Sequence, residues 1–218
     1  VEIMQKNNPL YKNQGIHLIS SIFTVDKGVV KVLLIRRNNE PYKYKWALVG
    51  GALYNNETVL DGMKREIKEK TGINDIELYY SNIYSRVNRS PIMRMVGLSY
   101  VGFLDIEKVN LLKETDKTND SDWFPINNIP ELAYDHNEIL NDSILKLREL
   151  IYDSDILKSL FPNTLTCPEL QSVYETILDK KIDRRNFRKK LINDGVIVDI
   201  NNEKNYIGKK PAKLYKFR

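Results

Sequence analysis

The sequence predicts an α+β fold in two parts: a mixed-sheet domain over residues 1–150, then a small domain of two helices and a β-hairpin over residues 151–218. Three observations carry this expectation. β-rich runs dominate the first half, with one amphipathic helix among them. The last third changes to two short helices and two alternating strands. Charge divides at the same boundary. Residues 1–150 hold 20 Lys/Arg and 20 Asp/Glu, whereas residues 151–218 hold 14 and 9, so the whole net charge of +5 lies in the C-terminal third.

In chain order, Ile16–Val25 and Val29–Arg36 are rich in Ile, Val, Leu and Phe, and Asp26-Lys27-Gly28 joins them as a hairpin turn. A helix runs from about Thr58 to Thr71, and Gly72 ends it because glycine accepts the left-handed conformation of a C-terminal cap. Gly62, in its middle, costs about 1 kcal/mol relative to alanine, which points to a close approach to the sheet. Ile76–Val87 and Arg94–Leu104 follow as strands around the turn cluster Asn88-Arg89-Ser90-Pro91. Residues 105–122 are polar and charged and read as an exposed loop. Trp123-Phe124-Pro125 reads as a short extended segment and Ile129–Leu132 as a turn. Ile139, Leu140, Ile144, Leu147, Leu150 and Ile151 give helical spacing over His136–Ile151. Asp135 before that helix reads as an acidic N-cap, in preference to a catalytic Asp135-His136 pair. Phe161-Pro162-Asn163 is the expected linker.

Beyond it, Thr166-Cys167-Pro168-Glu169 has the form of an N-cap, with proline just inside the helix and Glu169 in the capping-box position. The helix Glu169–Leu178 sets Leu170, Val173, Tyr174 and Ile177 on one face. After the turn 179–182, Asp183 caps a second helix, Arg184–Asn193, which Gly195 closes. Val196–Ile200 and Lys213–Phe217 alternate as strands around the polar, basic tip Asn201–Lys210. Two helices, a tight turn and a hairpin are the plan of a winged helix-turn-helix.

Hydrophobic content of 42% and charged content of 29% are ordinary for a globular protein. No apolar run approaches the roughly 20 residues of a membrane span, and no secretory pattern opens the sequence, so a cytoplasmic location is expected. Cys167 is the only cysteine, which rules out an internal disulfide and a cysteine-based zinc site. From Lys180 onward 13 basic residues face 4 acidic ones, an excess that suits a polyanionic partner as well as a solvated basic surface.

Two constellations carry chemistry. Glu66 and Glu69 lie three apart, so they share a face of the Thr58–Thr71 helix. Converging carboxylates are natural ligands for a hard cation such as Mg²⁺, which can neutralise a pyrophosphate and help form a hydroxide nucleophile. Gly50-Gly51 lets backbone approach closely where the loop turns. Lys70, four residues after Glu66, can pair with it and take part of a metal's electrostatic role. The second constellation is Asp183–Ile192. Phe187, Leu191 and Ile192 are expected to face the core, while Arg184, Arg185, Arg188 and Lys189 face outward. Such a second helix enters the major groove, where arginine reads guanine and Asn186 can read adenine. Lys209, Lys210 and Lys213 suit phosphate contacts from the wing, which position without specifying sequence.

The spacing from Gly51 through Glu57 to Arg65-Glu66-Ile67-Lys68-Glu69-Lys70-Thr71-Gly72-Ile73 resembles the Nudix box of enzymes that cut nucleoside diphosphates linked to another group. Eight of its nine defined positions match; the family has glutamate where this chain has Lys70. The resemblance implies a Nudix-type α/β/α sandwich with a mixed sheet, in which Trp46–Val49 leads into the box. It also implies that Arg65 orients the neighbouring glutamates, that Glu57 supports the loop, and that Glu66, Glu69 and position 70 form the metal-binding acids. Arg65, Glu66 and Glu69 are thus the catalytic candidates, with Mg²⁺ as the cofactor and Lys70 weakening its hold. Hydrolysis is expected to be weak or absent while ligand binding persists.

Taken with the C-terminal plan, the chain resembles the Nudix-related transcriptional regulators. The stretches Leu34-Ile35-Arg36-Arg37-Asn38, Leu132-Ala133-Tyr134-Asp135-His136, Asp183–Lys189 and Gly208–Phe217 extend the likeness over nearly the whole sequence. The resemblance implies a dimeric regulator that binds double-stranded DNA and senses ADP-ribose, a related nucleotide or a sugar. Candidate ligand residues are Arg37, Trp46, Gly50, Gly51, Arg86 and Arg94. Trp46 either stacks on a base or packs in the core, and Arg86, Arg89 and Arg94 either meet phosphates or lie free on the surface. His17, on a strand, and Cys167, at a helix start, read as structural. The alternative is a working Mg²⁺-dependent hydrolase of the ADP-ribose pyrophosphatase type with a basic appendage.

Overall fold

The computed structural model describes residues 13–161, 164–205 and 210–218. Strands β1 (Gly15–Asp26) and β2 (Val29–Arg37) form the expected hairpin, with Phe23–Asp26 paired to Val29–Val32. Two short strands follow, β3 (Trp46–Ala47) on β2 and β4 (Val49–Ala52) on β1, with Leu48 between them where the chain leads into the box. β1 therefore changes partner along its length: its second half pairs with β2, while His17–Ser20 pairs with Val49–Ala52. The fork where those partners part holds Gly50 and Gly51.

Helix α1 (Val59–Thr71) begins at Thr58, whose side chain accepts from the Asp61 amide, and ends at Gly72 with φ 79°. The close approach expected at Gly62 is present: a Cβ there would lie 2.8 Å from Leu18 Cδ1. Strands β5 (Leu78–Tyr84) and β6 (Met95–Phe103) flank the Asn88–Pro91 turn, and β6 runs parallel to β1. A 3₁₀ turn, Ile106–Lys108, precedes β7 (Thr118–Pro125). β7 corrects the expectation of a loop over 105–122. Asn119, Asp120 and Asp122 are poor strand formers, yet residues 118–125 pair antiparallel along almost all of β2. Pairing to a buried neighbour has overridden local propensity. The seven strands form one mixed sheet ordered β3-β2-β1-β6-β5, with β4 on β1 and β7 on β2.

Helix α1 covers one face through Leu18, Ile22, Leu33, Met63 and Ile67. Helix α2 (His136–Leu150) covers the other, burying Ile139, Leu140 and Leu147 against Ile19, Phe23 and Val101. This is the expected α/β/α sandwich. Beyond it, α3 (Ser154–Leu160) occupies a stretch with no helix expected. Phe161, placed in the expected linker, is 2% exposed and belongs to the core, while Pro162 and Asn163 lie outside the described residues. The two-residue strand β8 (Leu165–Thr166) leads into α4 (Cys167–Leu178), where Thr166 and Glu169 form the full capping box. Helix α5 (Arg184–Asn193), capped by Asp183, precedes β9 (Ile197–Lys204) and β10 (Ala212–Phe217). β10 lies between β8 and β9, which completes a winged helix-turn-helix.

One apolar cluster runs from the sheet through α2, α3 and α4 to Leu191 and Tyr215, so the two parts share a core. Tyr174 Oη donates to the Ile151 carbonyl at 3.2 Å, and Arg148 Nε donates to that of Ile177. No helix among the described residues is long and apolar enough to cross a membrane.

Candidate functional site

The first site forms where α1 faces the β1 fork. Arg65 is its hub. Its Nε and Nη2 donate to the two Glu57 oxygens at 2.8 and 2.7 Å, its Nη1 to Glu66 at 2.6 Å, and its Nη2 to the Ala52 carbonyl at 3.0 Å. The guanidinium also lies 3.8 Å from the centre of the Tyr54 ring. Glu57 accepts the Tyr54 amide at 2.8 Å, bracing the loop. These bonds, Arg65 first, hold the Glu57 carboxyl down at about 2. Gly51 leaves room for Glu66, since a Cβ would sit 2.3 Å from the Glu66 carboxylate and push it out of place.

Lys70 does what its spacing implies. Its ammonium lies 3.0 Å from Glu66 Oε2 and also donates to the Gly50 carbonyl. Burial pushes the Glu66 carboxyl up, but the Lys70 charge and the Arg65 hydrogen bond outweigh it and hold the group low. A residue with no signal in the sequence completes the cluster. Lys117, in the turn before β7, pairs with Glu69 at 2.5 Å and stands 4.0 Å from Glu66. It was hidden because only the pairing of β7 on β2 brings a polar loop back over α1. Arg37, Asn38, Gly51, Glu66, Lys70 and Lys117 line a cavity of about 260 Å³.

The other candidates are spread out. Arg37 bonds the Pro41 and Asn39 carbonyls at 3.0 and 3.3 Å and lies over the Tyr134 ring at 5.0 Å. Trp46 packs edge-on against Phe124 at 4.7 Å and is not among the residues lining the cavity. Nor are Arg86, which pairs with Glu138, and Arg94, which donates to the Arg86 and Met95 carbonyls. Arg89 turns inward, its guanidinium gripping both oxygens of Asp135 at 2.7 and 2.8 Å. Asp135 therefore makes no side-chain cap to α2, contrary to expectation, because its oxygens are committed to Arg89.

The cluster as built does not fit a divalent cation. Nudix domains generally work with such a metal, held by the acid row, but here each carboxylate of that row already faces a protein cation. Among the described residues no three His, Cys, Asp or Glu side chains converge in a way that could hold a metal ion.

Behind the β1 fork lies a group of neutral rings. His136 Nδ1 accepts the Leu48 amide at 3.0 Å, and its ring lies 5.7 Å from that of His17. Burial, then the charges of Arg89, Lys70 and Arg37, lower His17 to about 3. Burial likewise drives His136 well below its ordinary value. An unfolded histidine titrates near 6.5, so acid protonates the unfolded chain first. The stabilisation is complete above about pH 6.5 and is lost as the pH falls below it, towards about 3 in the case of His17, by up to about 1.4 kcal/mol per pH unit for each histidine. We expect Tm to drop on acidification from about pH 6.5 to about pH 5, and His136→Asn, which keeps an acceptor for Leu48, to flatten that drop. A wild-type Tm that does not move across this range rules the assignment out.

The second site is the outer face of α5. Leu191 is buried and Phe187 packs on Tyr174 at 5.1 Å, whereas Arg184, Arg185, Arg188, Lys189 and Lys190 are exposed. Ile192, expected in the core, is 41% exposed. Arg184, Arg188, Lys210 and Lys213 line one hollow of about 800 Å³ between α5, the start of α4 and β10. Lys213 is also paired with Asp199 at 2.8 Å. Asn186 lines a different hollow, beside Tyr152 and Tyr174. Lys209 lies outside the described residues.

Residues 17–143 match the NUDIX domain, and residues 158–217 match the NrtR DNA-binding winged helix domain. The ADPR responsive transcriptional repressor NtrR of Acinetobacter baylyi is 30% identical over 201 residues, 90% of this chain and 79% of the relative. The ADP-ribose pyrophosphatase of Methanocaldococcus jannaschii is 37% identical over 112 residues, 51% of this chain and 64% of that protein. In fold, the chain is similar to Shewanella oneidensis NrtR crystallised with a 27mer DNA, with a TM-score of 0.72 at 23% identity over 93% of each chain. A Nudix domain with a lysine in its acid row, sharing its core with an NrtR winged helix, makes this chain a member of the NrtR family of Nudix-related transcriptional regulators.

Proposed function

We propose that this protein is an ADP-ribose-responsive transcriptional repressor, acting as a homodimer on double-stranded DNA in the cytoplasm. Residues 1–150 bind the effector and residues 151–218 bind the operator. The observation that carries the proposal is α5: five cationic side chains exposed on a helix whose apolar stripe is locked into the shared core. A helix anchored in that way presents its charge rigidly to a groove. Similarity to the Acinetobacter repressor along nearly the whole chain supports ADP-ribose as effector. The lining of the α1 cavity by Arg37, Lys70 and Lys117 favours a phosphorylated ligand over a neutral sugar.

In this proposal the α1 cavity senses and does not cut. Any hold of Glu66 and Glu69 on Mg²⁺ is weakened by Lys70. Arg65 and Glu57 brace the loop, and Arg65 and Lys70 fix Glu66. The shared core of α2, α3 and α4 links the cavity to α5, so that ligand binding alters the geometry with which two α5 helices meet their half-sites. Gel shifts on the promoter of the protein's own operon test this. A shift that ADP-ribose abolishes is expected; no shift even at low salt defeats it. The similarity to the Methanocaldococcus pyrophosphatase keeps one rival in play, Mg²⁺-dependent hydrolysis of ADP-ribose. Turnover of ADP-ribose at ordinary enzyme rates, roughly 1 s⁻¹ or more, decides for the rival.

A further inference from the structure

The cluster at α1 is charge-balanced by the protein itself. Three carboxylates, Glu57, Glu66 and Glu69, contact three cations, Arg65, Lys70 and Lys117. Arg37 adds a positive charge to the same cavity, its Nε and Nη2 donating to the Pro41 and Asn39 carbonyls. Lysine in place of the box's glutamate at position 70 changes the local charge by two units, the charge that one Mg²⁺ ion would bring. A row of acids repels a diphosphate until a divalent cation bridges them. This cavity carries the compensating charge in its side chains.

Resting on the reading of ADP-ribose as effector, we propose that the cavity binds a diphosphate directly on Lys70, Lys117 and Arg37, with no divalent cation between. The two lysines have unequal parts. Lys70 is 12% exposed and held between Glu66 and the Gly50 carbonyl, so its charge is fixed in place. Lys117 sits on a turn, and both it and Glu69 are 38% exposed. Ion pairs that open to solvent contribute little, so Lys117 exchanges Glu69 for a phosphate oxygen at little cost and closes its turn over the ligand. Ammonium groups bind phosphate as point charges without demanding one geometry, which suits a clamp that moves.

Calorimetric titration of the full chain with ADP-ribose and with inorganic pyrophosphate, each in excess chelator and in Mg²⁺, tests this. Wild-type affinity is expected to agree between the two media to within about threefold, and Lys117→Ala to weaken binding about tenfold in both. Lys70→Glu is expected to lose binding in chelator and regain it in Mg²⁺. Lys117→Glu makes the same two-unit change on an exposed turn and serves if Lys70→Glu does not fold, as judged by its thermal melt. ADP-ribose binding that requires Mg²⁺ overturns the proposal and leaves the effector reading standing. Pyrophosphate bound in chelator with ADP-ribose bound in neither medium does the reverse. No binding of either ligand in either medium overturns both.

Discussion

Alanine at both Arg184 and Arg188 is expected to abolish sequence-specific operator binding, lowering affinity about a hundredfold or more, since a well-placed arginine–guanine contact discriminates by about 1–3 kcal/mol. The two residues lie four apart near the start of α5 and line one hollow with Lys210 and Lys213. In a helix-turn-helix, that N-terminal stretch meets base edges. Both side chains are exposed, so Tm and ADP-ribose affinity should stay at wild-type values. Lys210→Ala makes the contrast. A lost phosphate contact weakens binding to every sequence alike and reduces the salt slope by about 0.9. Fluorescence anisotropy on operator and scrambled duplexes, across a salt series, separates the two effects. If the double variant keeps operator affinity while Arg185→Ala with Lys189→Ala loses it, the neighbouring face of α5 reads the DNA.

Much of this architecture was legible wherever the determining residues are local. The Asp26–Gly28 hairpin, the Thr58 to Gly72 limits of α1 and the Thr166/Glu169 capping box are set by side chains within a few positions of the backbone they order. The Lys70–Glu66 pair belongs with them, since one helical turn fixes it. What stayed hidden depends on distant segments meeting. β7 is polar and acquires strand structure only against β2. Lys117 reaches Glu69 across 48 residues and Arg89 reaches Asp135 across 46, so no periodicity announces either. Asn186 follows the same logic in reverse: its neighbours in sequence suggest a shared task with Arg184 and Arg188, but helical rotation turns it towards a separate hollow. Helix α3 escaped because a seven-residue helix has too few turns to show a period.

The Arg89–Asp135 pair sets up a large stability effect. Its side chains are 1% and 9% exposed and joined by two hydrogen bonds, which distinguishes it from the Arg86–Glu138 pair nearby, at 60% and 49%. An exposed pair contributes at most about 1 kcal/mol, whereas stripping one partner from a buried pair costs about 3–5 kcal/mol, because the remaining charge is left without water or counter-ion. Arg89→Ala is therefore expected to lower Tm by roughly 6–20 °C for a chain of this size, against a few degrees at most for Arg86→Ala. The consequence should reach past stability. Asp135 opens α2, and α2 carries the core that continues through α3 and α4 to α5, so loosening its start should weaken the response of DNA binding to ADP-ribose more than DNA binding itself. Replacing both partners by apolar residues, Arg89→Met with Asp135→Leu, separates charge from packing: removing the stranded carboxylate should recover most of the lost Tm. A single variant that melts with the wild type, or a double variant no better than the single, contradicts the assignment of this pair as the brace between the β5–β6 turn and α2.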